Sequence, residues 1–266
     1  MGIGSVSSRA FELGICLASL VACRPETSAS AASVRPILAG SAPLASTSSA
    51  LDRDLADGRR TVEAFFGRPF ARPFEFVVFP DRAAFDRSFP PGWGIEHTEC
   101  WMVACGVADR LCILSPSVWR EQACEHDPDD ARHVRGILAH ELVHVFHGQA
   151  NPSGDFTAVE GLDWFVEGLA THASGQLEEQ HTLSAAAALK AGAAPEHLAD
   201  AWKGKYRYGV SGSLVRFVDR RVGRVVLDQM LGATTQAEVL SLAGLSESEL
   251  LGQWRASVLA ESADHH

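Results

Sequence analysis

The chain predicts an α+β domain with strands early and helices late, and three observations carry that prediction. F-E-F-V-V-F-P (74–80) is a short run that alternates and then turns wholly apolar before a proline ends it, which is strand behaviour. W-M-V-A-C-G-V-A-D-R-L-C-I-L-S (101–115) has two apolar stretches round a polar turn, the pattern of a hairpin. From Asp127 onward the apolar residues recur at helical spacing in one long segment after another, with no internal repeat. A chain of 266 residues, 46% hydrophobic and 21% charged, suits one domain with a sizeable core.

The elements follow in order. Residues 1–22 hold Arg9 and then a mostly apolar run closing on small residues, so they read as an export signal. Leu20-Val21-Ala22-Cys23 resembles the bacterial lipobox, which implies a lipid-modified Cys23 and an exported lipoprotein anchored to a membrane of the cell envelope. Residues 23–50 are rich in Ser, Ala and Pro without periodicity, a tether rather than a fold. The domain is expected over 51–266. It opens with an amphipathic helix that presents Leu51, Leu55, Val62, Phe65 and Phe66 to a core and stops at Gly67 and Pro69. The strand at 74–80, a short helix at 81–89 and the hairpin come next.

Four cysteines remain once Cys16 and Cys23 are set aside, and all lie between residues 100 and 124. An even cluster in an exported protein suggests disulfides. The hairpin sets Cys105 opposite Cys112, which leaves Cys100 for Cys124. No Cys-x-x-Cys pair is present, which argues against a cysteine zinc site.

L-A-H-E-L-V-H (138–144) is the segment that carries chemistry. His140 and His144 are four residues apart, on one face of a helix, so both imidazoles reach one point. Imidazole is a good ligand for Zn²⁺, and Glu141 projects about 100° round the helix, toward a water rather than the metal. Asp127 is expected to cap this helix with Pro128 at its first position, and Gly148 to stop it. Two imidazoles alone bind weakly, so a third donor is needed. A helix over F156-T-A-V-E-G-L-D-W-F-V-E-G-L-A-T-H-A-S174 offers Glu160, Asp163 and Glu167 on one face. His147 stands one turn beyond the pair, where a second role as neighbour or ligand is open.

H-E-L-V-H followed by W164-F-V-E-G-L-A170 resembles the gluzincins, peptidase MA-like zinc metallopeptidases of zincin fold. Over residues 74–230 the likeness is close at these two motifs and loose elsewhere. It implies a zincin-like domain: a mixed sheet, an active-site helix and a mostly helical C-terminal part. It implies Zn²⁺ held by His140, His144 and Glu167. Asp163 and Glu160 then read either as partners for the imidazole N–H groups or simply as surface acids. It also places an oxyanion-stabilising phenol in the stretch holding Tyr206 and Tyr208, and of these Tyr208 is favoured, with His172 as another donor.

The implied function is a zinc-dependent endopeptidase in which Glu141 is the general base. The alternative is a non-catalytic metal-binding or adhesion lipoprotein on the same scaffold. Retention of Glu141 speaks against that alternative, because binding alone needs the ligands and not the base. An edge strand from the hairpin would receive the peptide or protein substrate by β-augmentation. A net charge of −10, spread along the chain, excludes nucleic acid as a natural partner.

Overall fold

The computed structural model describes residues 36–38 and 45–263. The leader of residues 1–22, Cys16 and the lipid site at Cys23 lie outside the described residues, as does most of the tether. The elements are β1 (Pro36–Leu38), α1 (Ala45–Phe66), β2 (Glu75–Phe79), α2 (Arg82–Asp86), β3 (Ala104–Val107), β4 (Arg110–Leu114) and α3 (Trp119–Gln122). These are followed by α4 (Ala131–Ala150), α5 (Asp163–Ala173), α6 (Gln176–Gln180), α7 (Ser184–Lys190), α8 (Arg207–Val222), α9 (Arg224–Met230), α10 (Gln236–Ala243) and α11 (Glu247–Ala263). The architecture is thus α+β with the strands first, and no described helix is long and apolar enough to cross a membrane.

The sheet has the order β1-β2-β4-β3, mixed in sense: β1 and β4 run parallel to β2, while β3 turns back antiparallel to β4 and forms the edge. The two-residue turn Ala108-Asp109 joins the hairpin. Phe76, Leu111 and Ile113 have no exposed surface, and α1 and α4 cover the sheet with Val62, Phe66, Leu138, Leu142 and Phe146. Phe66 stacks on Phe146 with ring centroids 4.3 Å apart, which ties the first helix to the one carrying the histidines.

Several boundaries differ from the sequence reading. The first helix begins at Ala45, six residues inside the segment read as tether, and Pro36–Leu38 pairs with β2. The cap of α4 is Asp130, not Asp127: its carboxylate accepts from the Arg132 and His133 amides, while Asp127 serves the turn before it by accepting from Asp129 N–H. Helix α4 runs past Gly148 to Ala150 because Gly148 is a contact surface, where a Cβ would stand 2.5 Å from Gly154 O and 2.8 Å from Ala108 N. The helix expected from residue 156 starts only at Asp163. Glu160 N–H donates to Thr234 O and pulls that residue into a bridge with Thr235, and Gly161 turns the chain at φ +66°.

Of the two expected disulfides, Cys100–Cys124 is present, with Cα atoms 5.3 Å apart. Cys105 and Cys112 do face one another across the hairpin, yet as thiols. The register explains the difference. Leu114 N–H donates to Val103 O, so by alternation Cys105 and Cys112 form another hydrogen-bonded pair, the wider kind, with side chains further apart. A disulfide wants its Cβ atoms about 3.8 Å apart. Burial also pushes the Cys112 thiol up to about 12, so it stays protonated.

Candidate metal centre

Helix α4 places His140 and His144 on one face, their ring centroids 4.9 Å apart and both almost fully buried. Helix α5 brings Glu167 against them: Oε2 lies 3.2 Å from His140 Nε2 and Oε1 3.7 Å from His144 Nε2. One ligand atom from each of the three lies within 4.8 Å of the others, so this group could hold a metal ion.

Two glycines make that convergence possible. A Cβ on Gly106 would sit 2.2 Å from Glu141 O, so only glycine lets the edge strand β3 lie against α4 at this point. A Cβ on Gly168 would sit 2.4 Å from Ser211 O, so the glycine after Glu167 allows α8 to cross α5 closely. The second contact carries Tyr208, at the start of α8, to the cleft, with its ring centroid 6.1 Å from that of His140.

The electrostatics favour a cation among these groups. Burial alone would raise the Glu167 carboxyl, but His144 and His140, by charge and hydrogen bond, hold it well below the usual carboxylate range. His144 is raised by Glu167, which outweighs the effect of its burial. Gln176 Oε1 accepts from His140 Nδ1–H at 2.8 Å, fixing the ring so that Nε2 faces Glu167. An imidazole nitrogen and a carboxylate oxygen 3.2 Å apart, with the other ring nitrogen already donating, call for a positive charge between them: a proton or a metal ion. The donor set of two imidazoles and a carboxylate fits the residue types that transition-metal sites use.

Glu141 lines the same cleft without joining the cluster. Burial raises its carboxyl; His144 and His140 oppose that, and the Gly106 amide donates to it. In β3, Ala104 and Gly106 turn their backbone groups away from β4, since the hydrogen-bonded pairs are those of residues 103, 105 and 107. The edge strand therefore runs beside the cluster with backbone groups facing the cleft. Trp101, Met102, Phe156, Val166 and Trp202 supply its apolar walls.

The other sequence candidates are placed elsewhere. Glu160 is exposed on a loop, so it is no partner for the imidazoles. Asp163 is half-buried at the first position of α5, its carboxyl raised by burial and then by Glu167. The partner of His140 is instead Gln176, which the sequence reading missed: it lies on the short helix α6, and no spacing rule links it to the motif. His147 faces the core beside Phe156 and Phe165, and burial pushes its imidazole down to about 3, so it stays neutral and apart from the metal group. His172 points away from the cleft, its Nε2 3.1 Å from Asp219. Tyr206 stacks under the Lys205 ammonium, leaving Tyr208 as the tyrosine of the cleft. Comparison of the chain with protein-family models, with curated proteins and with solved structures finds no match.

Proposed function

We propose that the protein is a zinc-dependent endopeptidase of the gluzincin kind, its metal held by His140, His144 and Glu167. What supports this reading above all is the convergence of those three donors on one point in a cleft that also contains a separate carboxylate, Glu141. A non-catalytic metal-binding or adhesion protein needs the three ligands; it has no use for a second acid beside them. Zinc is favoured over harder cations because two of the three donors are imidazole. When bound, zinc supplies Lewis-acid polarisation of a carbonyl and acidification of water.

The chain's own residues supply the rest. Glu141 takes the proton of the attacking water and hands it to the leaving amine nitrogen as the peptide bond breaks. Burial raises its carboxyl above the usual carboxylate value, which makes it a better proton acceptor than an exposed glutamate. The Gly106 amide orients that carboxylate. Burial first, and the charge of Glu167 next, push the Tyr208 phenol up to about 12, so it keeps its proton and can donate to a developing oxyanion. An extended peptide would add to the edge strand β3 along Ala104 and the Gly106 carbonyl, the Gly106 amide being engaged by Glu141, which sets the scissile bond beside the cluster. An anchor at Cys23 would hold such an enzyme at a membrane surface.

The test is hydrolysis of a quenched-fluorescent peptide library by zinc-loaded protein, beside chelator-treated protein and the Glu141→Gln variant. Cleavage by the loaded wild type alone supports the reading. Metal binding with no cleavage of any peptide or unfolded protein would leave the binding-only alternative in its place.

A further inference from the structure

The cleft continues past Trp101 into a cavity of about 640 Å³, bounded by His126, His133, His181 and Arg207 as well as by Glu141 and Tyr208. Arg207 is the unusual wall. Its guanidinium carbon lies 5.4 Å from the Trp101 ring centroid, 5.6 Å from that of Trp202 and 5.1 Å from that of Tyr208, so three aromatic faces surround it. Among the described residues it has no carboxylate partner. The other internal arginines are satisfied: Arg224 by Asp219, Arg216 by Glu261 and Arg82 by backbone carbonyls of residues 99, 100, 102 and 122.

Arg207 also hydrogen-bonds the Tyr208 phenol, so this half-buried guanidinium, stacked on aromatic rings, is held in place with its remaining N–H groups unspent on any acid, the form in which arginine recognises a planar anion. Lys205 lines the same cavity and adds a second positive charge, and His181 stacks on Tyr208 with centroids 5.5 Å apart. Glu125 is the one acid on that wall apart from Glu141. The two cations, Arg207 and Lys205, balance the two acids of that wall, so the cavity is locally neutral in a chain of net charge −10.

We infer that Arg207 is a specificity-determining residue that binds a carboxylate of the substrate, so that the cleft selects acidic peptides. The inference rests on the peptidase reading, which supplies the peptide; the carboxylate preference itself is a matter of binding and can be measured without turnover. The carboxylate has two sources, an Asp or Glu side chain or a free C-terminus, and both present the same planar pair of oxygens to the guanidinium.

The experiment uses zinc-loaded Glu141→Gln protein and four acetylated, alanine-rich hexapeptides. One pair carries a single Glu or Gln with an amidated C-terminus; the other pair is neutral in sequence and ends in a free acid or an amide. Binding is read from the fluorescence of Trp101 and Trp202, whose rings flank Arg207. The acidic member of at least one pair should bind about tenfold more tightly than its neutral partner, the gain shrinking at high salt. Which pair responds identifies the source. Adding Arg207→Gln should bring the ratio close to one, and Arg207→Lys should restore part of it. A purely structural role for Arg207 would weaken acidic and neutral peptides alike and leave the ratio intact, and that result would overturn the inference. So would equal binding of all four peptides by the Glu141→Gln protein. Acid-selective binding by a protein that cleaves nothing would instead sink the peptidase reading and keep the Arg207 assignment, whereas cleavage without acid preference would do the reverse.

Discussion

Two clusters among the described residues pair a buried or nearly buried histidine with an acid, and they are closed in opposite ways. At the α5–α8 contact, His172 Nε2 meets Asp219 Oδ2 at 3.1 Å, and Arg224 donates to both oxygens of the same carboxylate, at 3.0 and 2.7 Å. At the cleft, Glu167 meets two imidazoles and no arginine. Asp219 has a permanent positive charge built into the chain. Glu167 has only groups that carry charge when protonated, together with a second acid, Glu141, lining the same cleft. The first cluster is complete in itself and holds two helices together; on the proposed reading the second is completed by a cation from outside. Chemically similar pairs thus differ in their counter-charge through one guanidinium.

The comparison can be broken in several ways, and the largest effect is expected at the cleft. Glu141→Gln should lower kcat by about 10²–10⁴-fold, the range for loss of a general base, while zinc content is unchanged. A variant that kept most of its activity would remove Glu141 from the proton path. Gln176→Ala comes next. Loss of the acceptor on His140 Nδ1 should weaken zinc affinity by about 10–100-fold in a competitive chelator titration, with the fold intact by circular dichroism. Affinity equal to wild type would mean that the imidazole needs no second partner.

At the closed cluster the readout is stability. Asp219→Asn removes hydrogen bonds to charged partners and should cost about 1–2 kcal/mol at pH 7, Asp219 being buried but Arg224 reaching solvent, which screens the pair. Burial alone would raise the Asp219 carboxyl, but His172 and Arg224 outweigh it and hold the group well below the usual range. A pKa lower in the folded than in the unfolded chain means that the contribution is fully present above about pH 4 and is lost as pH falls below that value. Urea midpoints of wild type and variant should therefore converge as the pH drops from 5 toward 2, and a constant gap would contradict the ion-pair account. The smallest effect concerns the hairpin. Thiol titration of protein unfolded after purification without reductant should find Cys105 and Cys112 reactive and the Cys100–Cys124 disulfide intact. A second disulfide would show that the strands can narrow at this pair.

Sequence reading goes furthest where one element contains the whole message. H-E-L-V-H is such a case, because i to i+4 geometry alone brings His140 and His144 together. The hairpin of residues 101–115 is another, its two-residue turn and alternating apolar positions legible in one short stretch. The reach of Glu167 and Tyr208 into the cleft depended on likeness to other chains, since spacing along one helix left Glu160 and Asp163 equally open. What escaped was set by contacts between distant segments. Gln176 meets His140 only because α6, packed against α5 and α8, carries it to the cleft. The start of α5 is delayed by the pairing of Glu160 with residues 234 and 235. The cap of α4 is Asp130 and not Asp127 because the turn before the helix takes the Asp127 carboxylate. The thiols depended on which of two alternating pair types fell at Cys105, a matter of register that composition does not carry.

The most direct test of the account is the zinc content of the protein, measured by elemental analysis after dialysis against metal-free buffer. Wild type, Glu167→Ala and Asp219→Ala would be measured side by side. One zinc per chain in wild type and in Asp219→Ala, and far less than one in Glu167→Ala, is the predicted result. A wild type without zinc after loading, or a Glu167→Ala variant that keeps its full complement, would contradict the claim that the open cluster is a metal centre.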